Sequence, residues 1–154
     1  MALEPKYDVA SVLERETQTT IGKWYSRVQE ESDLFSVPLN EEQRCAHLPE
    51  MFRDLVTRLR DPLPLGSRAL TSPAACAHGR LRRDQGYTAA MMVEESRMLQ
   101  VSIFQTLQVN VEDTEPGVLL LQVMAIADEV DSQLAQAMSA YIDLATHDRQ
   151  PINA

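Results

Sequence analysis

SPAACAHGRLRRDQGYTAAMMVEESRML, residues 72–99, reads as helix, stop, helix. Ser72 followed by Pro73 is an N-cap with proline at the first helical position, where its missing N–H leaves no hydrogen bond unmade. Gly86 marks the end of that helix, because glycine adopts the left-handed conformation of a helix terminus without steric penalty. Thr88 caps the next helix, expected to run to about Asn110. It sets Met91, Met92, Leu99, Ser102, Ile103 and Thr106 on one side, with Glu95 in the middle of that stripe.

The same 3.6-residue period recurs on both sides of this stretch, and no convincing two-residue alternation occurs, so the fold class is all-α. A first helix is expected from about Tyr7 to Gln29, with Val9, Val12, Leu13, Thr17, Ile21, Trp24, Tyr25 and Val28 on one face. Asn40 with Gln43 three residues later is a capping box. It opens a second helix through Leu48, Phe52, Leu55, Val56 and Leu59, which Pro49 must kink or split. DPLPLGSRALTS, residues 61–72, holds two Pro and a Gly and reads as a connector across one end of a bundle. After the acidic turn VEDTEPG (111–117), a long last helix is expected to present Leu120, Met124, Ala127, Leu134, Met138, Tyr141 and Ala145 inward, with Asp131 in the same line. Four to five helices in a single domain spanning 1–154 follow from this pattern.

Composition excludes several functions. With 154 residues the chain can bury a core without disulfides or metals. A net charge of -9 argues against a nucleic-acid surface, which needs clustered cations. No apolar run reaches the length of a membrane span, and no signal peptide is apparent, so neither membrane insertion nor export is expected and the location is read as cytoplasmic. Cys45 and Cys76 are too few for a zinc site and read as small buried thiols. His47 and His147 read as surface or cap residues. A hydrolase would need a nucleophile on a strand-to-helix turn, and a di-metal bundle would need Glu-x-x-His pairs, whereas Glu94 and Glu95 are followed at the third step by Arg97 and Met98. No catalytic residue, metal or cofactor is therefore expected.

The inward acids need partners, because an ionised carboxylate is buried only when paired and hydrogen-bonded. His78 and Arg82 are one turn apart. If their shared face points inward, Arg82 can offer a planar fork to Glu95 or Asp131, and Gly79 lets a neighbouring helix or a ligand approach closely. The methionines read as adaptable core filling that could also accommodate a small apolar ligand.

HGRLRRDQGY followed by MVEESRML resembles the pattern His-Gly-x-x-Arg-x-x-x-Gly-Tyr, then a hydrophobic-x-Glu helix, of the N-terminal sensory domain shared by RsbT co-antagonist proteins and many bacterial sensor histidine kinases. The residues that match are His78, Gly79, Arg82, Gly86, Tyr87 and either Glu94 or Glu95. The resemblance extends to the first helix with Trp24, to Arg44 and HLPEMF (47–52), and to Asp128 and Asp131 of the last helix. It implies a helical domain similar in arrangement to haem-free globin-like sensors. It also implies an input role upstream of a signalling output module and signal-coupling roles for His78, Gly79, Arg82, Tyr87, Glu94, Glu95 and Asp131. No phospho-acceptor helix or Gly-rich nucleotide box can be read in the chain. A homodimer is expected through apolar residues flanking the last helix's main stripe, Ile126, Val130 and Ile142. The competing readings are a stand-alone helical scaffold and a haem globin with His78 on the iron. The cations beside His78 and the scarcity of aromatic neighbours argue against the second.

Overall fold

The first helical pattern carries an interruption that its periodicity does not reveal. Glu16 leaves helical geometry (φ -97°, ψ 15°) and separates α1 (Val9–Arg15) from α2 (Thr17–Glu30), while its N–H still donates to the Val12 carbonyl and its own carbonyl accepts from Thr20. The computed structural model describes residues 8–67, 71–111 and 115–148, with the backbone alone at 144–148. Tyr7, the middle of the VEDTEPG turn and the side chains of Ala145 and His147 lie outside the described residues. Among those described, every regular element is a helix.

A short α3 (Ser32–Phe35), not anticipated from the sequence, buries Leu34. The Asn40 capping box forms with both of its hydrogen bonds and starts α4 (Glu41–Cys45). Pro49 then lies in the first turn of a separate helix, α5 (Leu48–Arg60), so the second pattern is split rather than kinked. Ser72 caps α6 (Pro73–Asp84) by accepting from the Ala75 amide (3.1 Å). The end of α6 is a closed left-handed motif: Gly86 takes φ +89°, its N–H donates to Arg83, and the Tyr87 N–H reaches Arg82. Thr88 caps α7 (Ala89–Asn110), and α8 (Pro116–Asp148) completes the bundle with a length of about 50 Å at 1.5 Å per residue.

The core runs through the bundle from Val12 and Leu13 to Trp24, Phe52, Leu55, Ile103 and Ile126. Along α7, Met92, Glu95, Leu99, Ser102, Ile103 and Thr106 are buried as the stripe requires, and Met91 is half-buried at the cap. The inward face of α8 is rotated from the one expected. It consists of Ile126, Glu129, Val130, Gln133, Ala137, Ala140 and Tyr141, while Leu120 and Met124 are exposed. The cause is the packing of α6 on α8. A Cβ on Gly79 would fall 2.0 Å from the carbonyl oxygen of Ala137, so the two backbones touch, and small residues rather than large ones set the contact face of α8. That rotation places Asp131 on the outside and moves Ile126 and Val130 from the expected outer flank into the core.

Candidate functional site

The joint between α6 and α7 folds its polar residues inward around Glu95. Arg82, fully buried, donates from Nε to Glu95 Oε1 (2.9 Å), from Nη1 to Gln85 Oε1 (2.7 Å) and from Nη2 to the Arg44 carbonyl (2.5 Å). Its guanidinium also stacks 4.6 Å from the centre of the Tyr87 ring. His78, one turn earlier on the same face, places Nε2 3.1 Å from the same Glu95 oxygen. The main chain of Glu95 is fixed as well, because Trp24 Nε1 donates to its carbonyl (3.1 Å) across from α2.

Arg44 extends the network toward α3. It is buried, with Nη1 donating to the Tyr87 hydroxyl (2.5 Å) and the Leu34 carbonyl (3.2 Å), and Nη2 to the Val37 carbonyl (2.8 Å). Arg82 thus takes up the Arg44 carbonyl at the end of α4, and Arg44 adds a donor to the Leu34 carbonyl at the end of α3, which also accepts from the Val37 N–H (3.3 Å). Tyr141 of α8 closes the far side by donating to the Tyr87 carbonyl (2.7 Å), with Arg83 over its ring at 5.1 Å.

Electrostatics follow from these contacts. Burial pushes the Glu95 carboxyl upward, but the His78 hydrogen bond and the Arg82 charge outweigh it and hold the group below its ordinary value of 4.5. Tyr87 is raised, first by burial and then by the nearby Glu95 charge, and so stays a neutral phenol. His47, whose ring meets His78 edge-on at 5.8 Å, is lowered by burial and by His78. Half-buried Cys45 is pushed up to about 11, chiefly by burial, which makes its thiol a poor nucleophile.

Against the sequence expectations, His78, Arg82, Tyr87 and Glu95 come together, Gly79 packs on the Ala137 backbone of α8, and two residues stay apart. Glu94 lies on the outer side of α7 in a surface pair with Arg97. Asp131 is exposed and borders an open groove with Asp128 and Arg80, so it cannot be the partner of Arg82. The inward acid of α8 is Glu129, missed by sequence reading. It accepts from Gln133 Nε2 (3.1 Å) and lies 3.9 Å from Arg58, which also donates to Asp128 (3.2 Å). Arg44 and Arg58 were legible in principle, since each continues the buried line of its segment: Arg44 is one turn before Leu48, and Arg58 three residues after Leu55.

Beside the network lies a cavity of about 30 Å³, room for one or two waters. Trp24, Leu48, Met51, Met92, Leu99, Val130 and Ala137 line it with the buried polar residues His78, Glu95 and Gln133 and the half-buried Ser96 and Leu134. Among the described residues no three His, Cys, Asp or Glu side chains converge to hold a metal, and no helix is long and apolar enough to cross a membrane. Compared with protein-family models, with curated proteins and with solved structures, the chain gives no match.

Proposed function

We propose that the chain is a cytoplasmic sensory or regulatory input domain of a bacterial signal-transduction protein, of the class that its joint motif resembles, with a sensor histidine kinase as the leading output. The observation that carries the reading is the buried Arg44–Tyr87–Arg82–Glu95–His78 network beside a cavity. Charged groups in a core are expensive, and a hydrophobic replacement of the same shape is often more stable, so their use here calls for a role beyond stability. The network joins α4, α6 and α7 and, through Tyr141, the long α8, so a change at its centre would shift the packing of the helix that leads toward the C-terminus. Its single carboxylate is closed into an ion pair, which suits coupling and not proton transfer. A haem on His78 would have to displace Glu95 from Nε2 and open a cavity far smaller than a porphyrin.

Joining the chain upstream of a dimeric histidine-kinase catalytic core tests the reading. Glu95→Gln is expected to shift autophosphorylation by at least about fivefold, the lower end of ordinary coupling energies, while circular dichroism shows the helices intact. Equal activity in the two fusions would overturn it.

One observation favours the second reading, a partner-binding scaffold or a homodimer. Val118, Leu120, Leu121 and Met124 expose an apolar face on the first turns of α8. The dimer expected from the sequence would therefore use this face with Ile142, since Ile126 and Val130 belong to the core. Sedimentation of the wild type as a dimer, and of Leu121→Asp as a folded monomer, is the expected result. A monomer at high wild-type concentration would remove the dimer.

A further inference from the structure

We propose that the contact between His47 and His78 is an acid-sensitive latch: protonation of His47 drives the start of α5 away from α6 and loosens the joint. The two rings meet edge-on, with their centroids 5.8 Å apart. His47 stands at the junction of α4 and α5, and His78 lies on the buried face of α6 that also carries Arg82. One turn along α6, Arg82 Nη2 holds the Arg44 carbonyl at the end of α4, so the two contacts together dock the junction on α6. The loosening in acid is a property of the chain by itself; its use as a signal rests on the sensory reading.

His47 is poorly placed to carry a charge. An imidazolium bears a proton on both nitrogens, and Nδ1 of His47 is buried with no hydrogen-bond partner among the described residues. A charged ring would therefore bury an N–H without an acceptor, whichever nitrogen holds the proton of the neutral form. His47 is also the N-cap of α5, a helix of 13 residues whose first N–H groups present the positive end of its dipole. The neighbouring elements add to this. From α6 come His78 and the Arg82 guanidinium, and from α4 the buried Arg44 and the neutral thiol of Cys45. From α7 comes Glu95, whose Oε1 already meets both His78 and Arg82. Glu50 on α5 attracts the charge, but it is exposed. Across the cavity from His78, α8 presents Val130, Gln133, Leu134 and Ala137, none of them charged.

Burial first, and His78 second, hold the His47 imidazole below its ordinary 6.5. A proton on His78 adds to the repulsion; without one, burial, the helix end and Arg82 remain. The unfolded chain therefore takes the His47 proton before the folded chain does. Stability is full above 6.5, falls as the pH drops from 6.5 to the folded value, and stays reduced below it. Near 6.5 the Glu95 carboxyl, held below 4.5, is still ionised, so acid acts on the His47 contact before it reaches the centre of the network.

With three histidines in the chain each ring can be followed separately, so the test is an NMR titration of His47 in the wild type from about pH 8 to 5. Amide hydrogen exchange over the same range, corrected for its intrinsic pH dependence, reports local opening. The His47 midpoint is expected below 6.5, and residues 44–51 are expected to lose protection with that midpoint. His47→Gln keeps a polar side chain that takes no proton. It should hold this protection constant across the range, and its unfolding free energy should fall less on acidification than that of the wild type. A His47 midpoint at or above 6.5, or protection of 44–51 that falls equally in His47→Gln, sinks the latch; should the variant not fold, the wild-type midpoint decides alone. The kinase fusion separates the two proposals. If protection drops while the fusion is indifferent to His47→Gln and Glu95→Gln alike, the latch stands and the sensory reading falls. A fusion that answers Glu95→Gln while His47 titrates at 6.5 does the reverse.

Discussion

Gly79 and Gly86 sit seven residues apart and are needed for different reasons, which substitution can separate. At Gly79 a methyl group would meet the Ala137 carbonyl, a backbone atom that cannot swing aside, so Gly79→Ala is expected to lose on the order of 2 kcal/mol despite alanine's better helix propensity. At Gly86 there is open space and the cost is conformational, about 1–2 kcal/mol for alanine at positive φ. Gly86→Asn should recover most of that loss, because asparagine tolerates the left-handed region, whereas Gly79→Ser should recover nothing; melting curves of the four variants decide it. Glu95 carries a pH signature of its own. Its folded value is lowered, so the stability it contributes is present above 4.5 and lost as the pH falls through the folded value. The gap in unfolding free energy between wild type and Glu95→Gln should therefore be widest near neutral pH and close in acid; a gap independent of pH would show that the carboxylate is not held ionised. Glu95 itself was legible because one acid interrupted an otherwise unbroken stripe, while the doubled Glu94-Glu95 left the register open until the cap at Thr88 fixed it.

Among the helices, the sequence disclosed the ends at Asn40, Ser72, Gly86 and Thr88 and the inward face of α7. Asn40, Ser72, Thr88 and Gly86 act through local hydrogen bonds among neighbours in the chain, and each terminates its helix as the residue type requires. Thr88→Ala should accordingly cost about 1 kcal/mol, read from chemical denaturation, without altering the bundle. The inward face of α8 was not legible, because it depends on a partner far away in sequence. Leu120 and Met124 are more hydrophobic than Ala137, but it is the backbone of Ala137 that meets Gly79, and they lie exposed in the first turns of α8. The division at Glu16 was hidden because one residue off helical angles, with its hydrogen bonds kept, leaves the hydrophobic period intact. On α8 the buried acid is also the stressed one. Burial raises Glu129 above 4.5, with Arg58 and Gln133 compensating only in part, so its charge is a penalty present above the folded value and absent below 4.5. Glu129→Gln is expected to stabilise the fold at neutral pH, with the gain vanishing in acid, a trend opposite to that of Glu95→Gln.

Across the whole molecule, the buried network ties short helices that could not stand alone to the long ones. α3 and α4 span four and five residues, and their terminal carbonyls are held by Arg44 and Arg82. Arg82 is the member on which the rest depends, since it touches α4, the end of α6, Glu95 and the Tyr87 ring at once. The thermal unfolding of Arg82→Ala against Arg80→Ala tests this most directly. Arg80 is exposed on the same helix and should melt within about 0.5 kcal/mol of wild type. Arg82→Ala leaves Glu95 buried without its cation, which costs on the order of 3–5 kcal/mol, or roughly 10 °C for a domain of this size. A wild-type melting temperature for Arg82→Ala would contradict the account, because a network that can lose its central cation without consequence is not what holds the joint.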